Sequence, residues 1–174
     1  MSKKIHKPND SFVIANFQNR DNAIDLMQNY LPARASSQLC LPELEVSHKH
    51  FVDDALKQFF VDALYKIPMK KGNNAYAYVL FEHQSTPDYN ISYRLLRYMT
   101  KIWDDIIDNE DSRYLPPIIP LVLSQSRWNY SCDFIDRFQL DDEQKAALGP
   151  SIPNFRHDLI DLSRLNIDQI QGKL

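Results

Sequence analysis

The sequence predicts a mixed α/β (α+β) domain: a central sheet with helices on its flanks. Three stretches carry the prediction. Residues 59–67 alternate Phe59, Val61, Ala63, Tyr65 and Ile67 with Phe60, Asp62, Leu64 and Lys66, the period-two pattern of a strand. Residues 75–81 form a short, almost wholly apolar run rich in Tyr and Val, as a strand buried on both faces requires. Between them Lys70-Lys71-Gly72-Asn73-Asn74 supplies turn chemistry, so the pair reads as a β-hairpin. Beyond it, Ile91, Leu95, Met99, Ile102 and Ile106 repeat at helical spacing, widened by Leu96, Tyr98 and Trp103.

In chain order, Asp10 suits the N-cap of a first helix bearing Phe12, Val13, Ile14, Ala15 and Phe17. Asp21 or Asn22 suits the cap of a second, whose stripe of Ala23, Ile24, Met27, Tyr30 and Leu31 stops at Pro32. Pro42 interrupts the pattern, residues 44–46 read as a strand or an extended loop, and residues 53–56 as a turn or short helix. His48 and His50 lack a Cys or third His partner and read as ordinary surface or interface residues. The acids Glu45 and Asp54 read first as solvated charges and second as a third carboxylate beside the hairpin.

Ser85-Thr86-Pro87-Asp88 offers cap and N1-proline chemistry for the long helix. Residues 116–123 read as a strand, with Pro116, Pro117 and Pro120 confining it to an edge or to strand ends. Strand, helix and strand then make a βαβ unit with parallel strands. Residues 133–148 read as helical up to Gly149-Pro150, residues 155–162 as a last strand, and Arg164 as the start of another helix.

Composition bounds the function. With 44% hydrophobic and 25% charged residues, the 174-residue chain is ordinary globular material and long enough for one domain with a real core. A net charge of −3 excludes a global basic field, so any nucleic-acid contact must come from a local patch. Two cysteines, Cys40 and Cys132, have neither metal spacing nor the look of a disulfide framework. No apolar run approaches about 18 residues and the N-terminus has no signal-like apolar stretch. The expectation is a soluble, reducing, cytoplasmic setting with no membrane contact.

Two carboxylates define the candidate chemistry. A hairpin folded symmetrically about Gly72 without a bulge places Asp62 directly opposite Glu82. Opposed Cβ atoms lie about 4.5–5.5 Å apart, and like charges there are destabilising unless a cation or a proton intervenes. Asp-x19-Glu-x-Gln therefore reads as a divalent-metal site, since hard cations take carboxylate and carbonyl oxygens. Two solvated acids at a strand end are the plain alternative. On the long helix, Arg94, Arg97 and Lys101 lie toward the start and Asp104 and Asp108 toward the end. That order opposes the helix dipole. It fits cations that face a phosphate backbone, or equally i,i+4 pairing such as Lys101 with Asp105.

The string Val79-Leu80-Phe81-Glu82-His83-Gln84-Ser85 resembles the signature of the recombination-promoting nucleases, also called putative transposases. So do Phe51-Val52-Asp53-Asp54 ahead of Asp62-Ala63-Leu64-Tyr65, the segment Arg94-Leu95-Leu96-Arg97-Tyr98-Met99, and Pro117-Ile118-Ile119-Pro120-Leu121-Val122-Leu123. The likeness runs from about residue 6 to residue 163, with several motifs in order. It implies membership of the PD-(D/E)xK superfamily and a restriction-endonuclease-like core of order α-β-β-β-α-β, with residues 1–174 as a single domain lacking a C-terminal extension.

The implied activity is Mg²⁺- (or Mn²⁺-) dependent DNA endonuclease. Asp62 and Glu82 are the implied acids, the His83 carbonyl a further metal ligand, and Gln84 stands where the superfamily usually has lysine. DNA is the implied partner, with a homodimer as one arrangement. Two departures are visible: Gln84 cannot add positive charge, and Ser124-Gln125-Ser126 replaces a Tyr-His-Gly-like turn. The Gln84 departure and the acidic net charge keep open an alternative class, a degenerate DNA-binding or protein-interaction module.

Overall fold

The computed structural model describes residues 16, 18–52, 54, 60–82, 88–110 and 113–162. A five-stranded mixed sheet is its frame: β1 (Glu45–Ser47), β2 (Phe60–Pro68), β3 (Asn74–Glu82), β4 (Ile118–Ser124) and β5 (Asp158–Asp161), in spatial order β1-β2-β3-β4-β5. The first three strands pair antiparallel, whereas β3–β4 and β4–β5 pair parallel. Helix α1 (Arg20–Tyr30), helix α2 (Ile91–Asn109) and the short helix α3 (Asp142–Leu148) accompany it. This is the architecture of a restriction-endonuclease-like α+β fold.

Period-two alternation splits the core between the two sheet faces. Ala63, Tyr65, Ile67, Ala75, Ala77, Val79, Phe81, Leu121, Leu123 and Ile160 pack with Ala23, Leu26 and Met27 of α1. Leu64, Tyr78, Leu80 and Val122 pack with Ile91, Leu95, Tyr98, Ile102 and Ile106 of α2. Strand β3 is apolar from Ala75 to Phe81 because it is central: β2 and β4 flank it, and residues Ala75 to Glu82 are all buried.

Several expectations are corrected. The cap of α1 is Asn19, whose side chain accepts from the Asp21 and Asn22 amides, rather than either of those residues. The β4 segment, expected at an edge or with its prolines at strand ends, is interior; Pro116 and Pro117 precede it and Pro120 lies within it. Its Pro120 precedes the first β4–β5 pair, Leu121↔Asp158, so the missing N–H falls where that ladder has not begun. The expected helix over 133–148 is two elements, a 3₁₀ stretch Phe134–Phe138 and α3, parted by Gln139 in the left-handed region at φ 52°. The final strand is shorter than expected, Asp158–Asp161, and 45–47 is a strand rather than a loop. The expected first helix capped by Asp10, the 53–56 turn (apart from Asp54) and the helix from 164 lie outside the described residues.

Candidate active site

The turn decides how the two acids meet. Pro68↔Asn74 closes the β2–β3 ladder, and the Met69 amide donates to the Asn73 carbonyl at 3.2 Å. The three residues left at the tip are Lys70, Lys71 and Gly72, with Gly72 at φ +95° in the last of them. A three-residue hairpin loop places its positive-φ residue there rather than at its centre. The ladder is thus centred on Lys71. Moving the centre by one residue moves every partner by two, so Asp62 pairs with Leu80 and Glu82 with Phe60. The expected direct opposition of Asp62 and Glu82 is not formed. Because the shift is even, both acids keep the same face, the one covered by α2, as diagonal neighbours of the kind that lie about 7–8 Å apart.

Both acids are buried, Asp62 at 4% exposure and Glu82 at 0%, so each needs donors. Asp62 Oδ2 accepts from the Phe51 amide at 2.6 Å, the Val52 amide at 3.3 Å and the Tyr78 hydroxyl at 3.2 Å. Its Oδ1 lies 3.2 Å from His50 Nδ1. His50, expected to be an ordinary surface residue, is therefore part of the site, its side chain still 39% exposed. Glu82 Oε1 accepts from the Asp88 amide at 2.6 Å, and its Oε2 accepts from the Ser124 hydroxyl at 3.2 Å. Ser124 is opposite Glu82 in the parallel β3–β4 ladder, and its hydroxyl also meets the Ser126 carbonyl at 3.1 Å.

Asp88 links Glu82 to the long helix. Its carboxylate accepts from the Asn90 amide at 2.9 Å and its carbonyl from the Ile91 amide at 3.0 Å. Arg94 Nε forms an ion pair with Asp88 Oδ2. Lys101 donates to the Phe51 carbonyl at 3.4 Å and lies 5.6 Å from the Tyr98 ring centroid. Asp105, the expected i,i+4 partner of Lys101, pairs with Lys49. Arg97 is exposed. Two of the three expected phosphate-facing cations are thus each one residue removed from a site carboxylate.

His83 and Gln84 lie outside the described residues. Among the described residues no group of three or more His, Cys, Asp or Glu side chains is close enough to hold a metal ion together. The oxygen donor set of Asp62 and Glu82 nonetheless suits a hard cation. An ionised carboxylate accepts at about four lone-pair positions, so it can keep protein donors and still ligate an ion.

Tyr78, Ser124 and Asp88 escaped the sequence reading. Tyr78 carried a usable signal: once Asp62 pairs with Leu80, position 78 shares their face. Ser124 had none, because parallel registers are not set by a turn.

A mixed sheet with two buried acids at the end of its central hairpin defines an α/β protein with a candidate acidic site. The chain matches the family described as "Putative transposase, YhgA-like" over residues 7–174 and belongs to that family. It is similar to the recombination-promoting nuclease RpnD of Escherichia coli O157:H7, 27% identical over 166 residues, covering 94% of this chain and 62% of that protein. It is 28% identical over 174 residues to the recombination-promoting nuclease RpnA of Escherichia coli (strain K12), covering 98% and 57%. The inactive recombination-promoting nuclease-like protein RpnE of the same strain is 29% identical over 129 residues, covering 72% and 42%. The chain spans about 60% of the length of the first two. No solved structure matches. No helix among the described residues is long and apolar enough to cross a membrane.

Proposed function

We propose that the chain is a Mg²⁺- or Mn²⁺-dependent DNA endonuclease of the PD-(D/E)xK type. The observation that carries the reading is the placement of Asp62 and Glu82. Both are buried, both stand on the α2 face of adjacent strands, and Glu82 is tied by Asp88 to the lead-in of the helix that bears Arg94, Arg97 and Lys101. Asp62 and Glu82 would hold the ion, with the His83 carbonyl as a further ligand. When bound, a divalent cation activates a water and neutralises charge developing on the phosphate.

The chain's own residues do the rest. Ser124 and the Asp88 amide hold the Glu82 carboxylate in one orientation. Arg94, Arg97 and Lys101 draw in the phosphate backbone. Gln84 orients the attacking water by hydrogen bonding but adds no charge. His50, oriented by Asp62, is an ionisable group able to pass a proton to the leaving oxygen. Nicking of supercoiled plasmid with Mg²⁺ or Mn²⁺, lost in Glu82→Ala, tests this reading. Plasmid left intact by pure, folded chain at high enzyme concentration would reject it.

One observation favours a second reading, a catalytically degenerate DNA-binding or protein-interaction module. Asp62 meets the Phe51 and Val52 amides, the Tyr78 hydroxyl and His50, a pattern that also suits an acid whose task is to pin a loop. Two similar proteins bear the word inactive in their names. DNA binding without cleavage would select this reading.

A further inference from the structure

We propose that Tyr89, backed by Arg137, and Tyr93 form a stacking platform for unpaired nucleotides beside Glu82, so that the favoured substrate is DNA with single-stranded character. The inference rests on the nuclease reading for the nature of the polymer, and on the following geometry for the rest.

Tyr89 directly follows Asp88, whose amide donates to Glu82 Oε1 at 2.6 Å. Tyr89 is thus one residue along the chain from the amide that holds the candidate acid. Tyr89 is 48% exposed and Tyr93, four residues on and in the first turn of α2, is 53% exposed. Two large rings thus stand half open to water at one helix start, where a ligand can reach them.

The Tyr89 ring is braced from within. Buried Trp128 donates through Nε1 to the Tyr130 carbonyl at 2.8 Å, and its ring meets that of Tyr130 edge-on at 6.0 Å. Tyr130 in turn meets Tyr89 edge-on at 5.3 Å. On Tyr89 itself the Arg137 guanidinium sits 3.6 Å from the ring centroid, held by a 3.0 Å bond from Nη2 to Asn90 Oδ1. Arg137 Nη1 is buried and makes no hydrogen bond among the described residues, so the ring is a principal partner of that cation. A ring fixed in this way gives up little conformational entropy when a base stacks on it.

Charge selects the occupant. The chain carries −3 overall; near Tyr89 the acids Asp88, Asp133 and Asp136 are each paired, with Arg94, Arg156 and Lys145, and this end also carries Arg97 on α2 and exposed Arg127 on the loop that follows Ser124. Asp104, Asp105, Asp108 and Glu110 lie at the opposite end of α2. Aromatic faces interleaved with arginines suit a phosphate polymer whose bases are exposed. A base within a duplex already has both faces stacked, so only an unpaired or extruded base can use such a ring.

The test is fluorescence anisotropy in EDTA, which halts cleavage, using a labelled single-stranded oligonucleotide and a blunt duplex of the same length. The full chain is expected to bind the single strand about ten-fold tighter or more. Tyr89→Leu/Tyr93→Leu should lose about ten-fold on the single strand and little on the duplex, with Tyr93→Leu alone, at a half-exposed position, giving part of the loss. Equal affinity for the two oligonucleotides, or a preference unchanged in the double variant, overturns the proposal. So does a dimer by light scattering that the double variant loses while keeping the preference, because the rings would then serve self-association.

Plasmid cleavage by the wild type is read separately. A preference without cleavage rejects the nuclease reading alone, and cleavage without a preference rejects the platform alone.

Discussion

The backbone amide of Asp88 donates to the carboxylate of Glu82 at 2.6 Å, and this bond joins the end of the central hairpin to the helix that carries the cations. Asp88 also pairs with Arg94. The acid, the helix lead-in and the first arginine are therefore joined in one chain of hydrogen bonds. Changes to any of the three should be read in DNA binding as well as in cleavage.

The two acids should differ when removed. Asp62→Ala leaves the Phe51 and Val52 amides without their acceptor. An unsatisfied buried donor costs about 1–3 kcal/mol. Asp62→Ala is therefore expected to lower both cleavage and stability. Glu82→Gln keeps an oxygen acceptor and should abolish cleavage while leaving the urea midpoint close to that of the wild type. Cleavage retained by pure Glu82→Gln would remove Glu82 from the chemistry.

Replacing Arg94, Arg97 and Lys101 together with alanine should weaken DNA binding and flatten its dependence on salt. Each phosphate contact contributes about −0.9 to the slope of log affinity against log salt. A reduction of roughly two to three in that slope is expected if each cation meets one phosphate. An unchanged slope would mean that these residues serve the fold, as in the Asp88–Arg94 pair and the Lys101–Phe51 contact, rather than phosphate.

Metal binding should raise the melting temperature of the wild type. A ligand bound only by the folded state adds about 2.7 kcal/mol at a hundred times its dissociation constant. The observed register changes what the apo protein should show. Direct opposition would make Glu82→Gln more stable than the wild type without metal. With Asp62 on Leu80 and Glu82 on Phe60, the like-charge cost is smaller and that gain should nearly vanish. The variant should still fail to respond to Mn²⁺. A wild type indifferent to Mg²⁺ and Mn²⁺ up to concentrations that saturate a weak site would count against the metal.

Much of this was legible from the residues, for local reasons. The alternation around Asp62, the apolar run before Glu82 and the 3.6-residue stripe of α2 are short-range patterns, and each gave its element. The register was misjudged because Gly72 marks the turn without fixing its place within it. The same asymmetry that moved Asp62 to Leu80 preserved the shared face, so the face assignment survived the error. Ser124 and His50 were missed because they meet the acids across a parallel ladder or from a loop, and Asp88 because it acts through its backbone amide, which no side-chain pattern marks. The interior position of Pro120 was hidden for a related reason, since it depends on where β5 begins.

His157 makes the fold sensitive to acid. It is fully buried, its ring meets Trp128 edge-on at 5.9 Å, and both ring nitrogens are buried without a hydrogen-bond partner among the described residues. Burial pushes its pKa down from 6.5 to about 4, helped by the positive charge of Arg156 and opposed by Asp158 and Asp133. The folded state thus holds the imidazole neutral where the unfolded chain does not. Above about pH 6.5 both states are neutral and this group's contribution is fully present. Between there and the folded-state value the unfolded chain binds a proton that the folded one refuses, so stability falls as pH falls. Below it both are protonated and the loss stops growing. Each pH step of one across that window is worth about 1.4 kcal/mol, so the whole loss is on the order of 3 kcal/mol. His157→Phe keeps an aromatic ring against Trp128 and removes the titration. Urea midpoints taken near neutrality and near pH 4.5 should therefore drop further in the wild type than in His157→Phe. Equal drops would show that the imidazole gains its proton without cost to the fold, and would assign the acid sensitivity to the carboxylates instead.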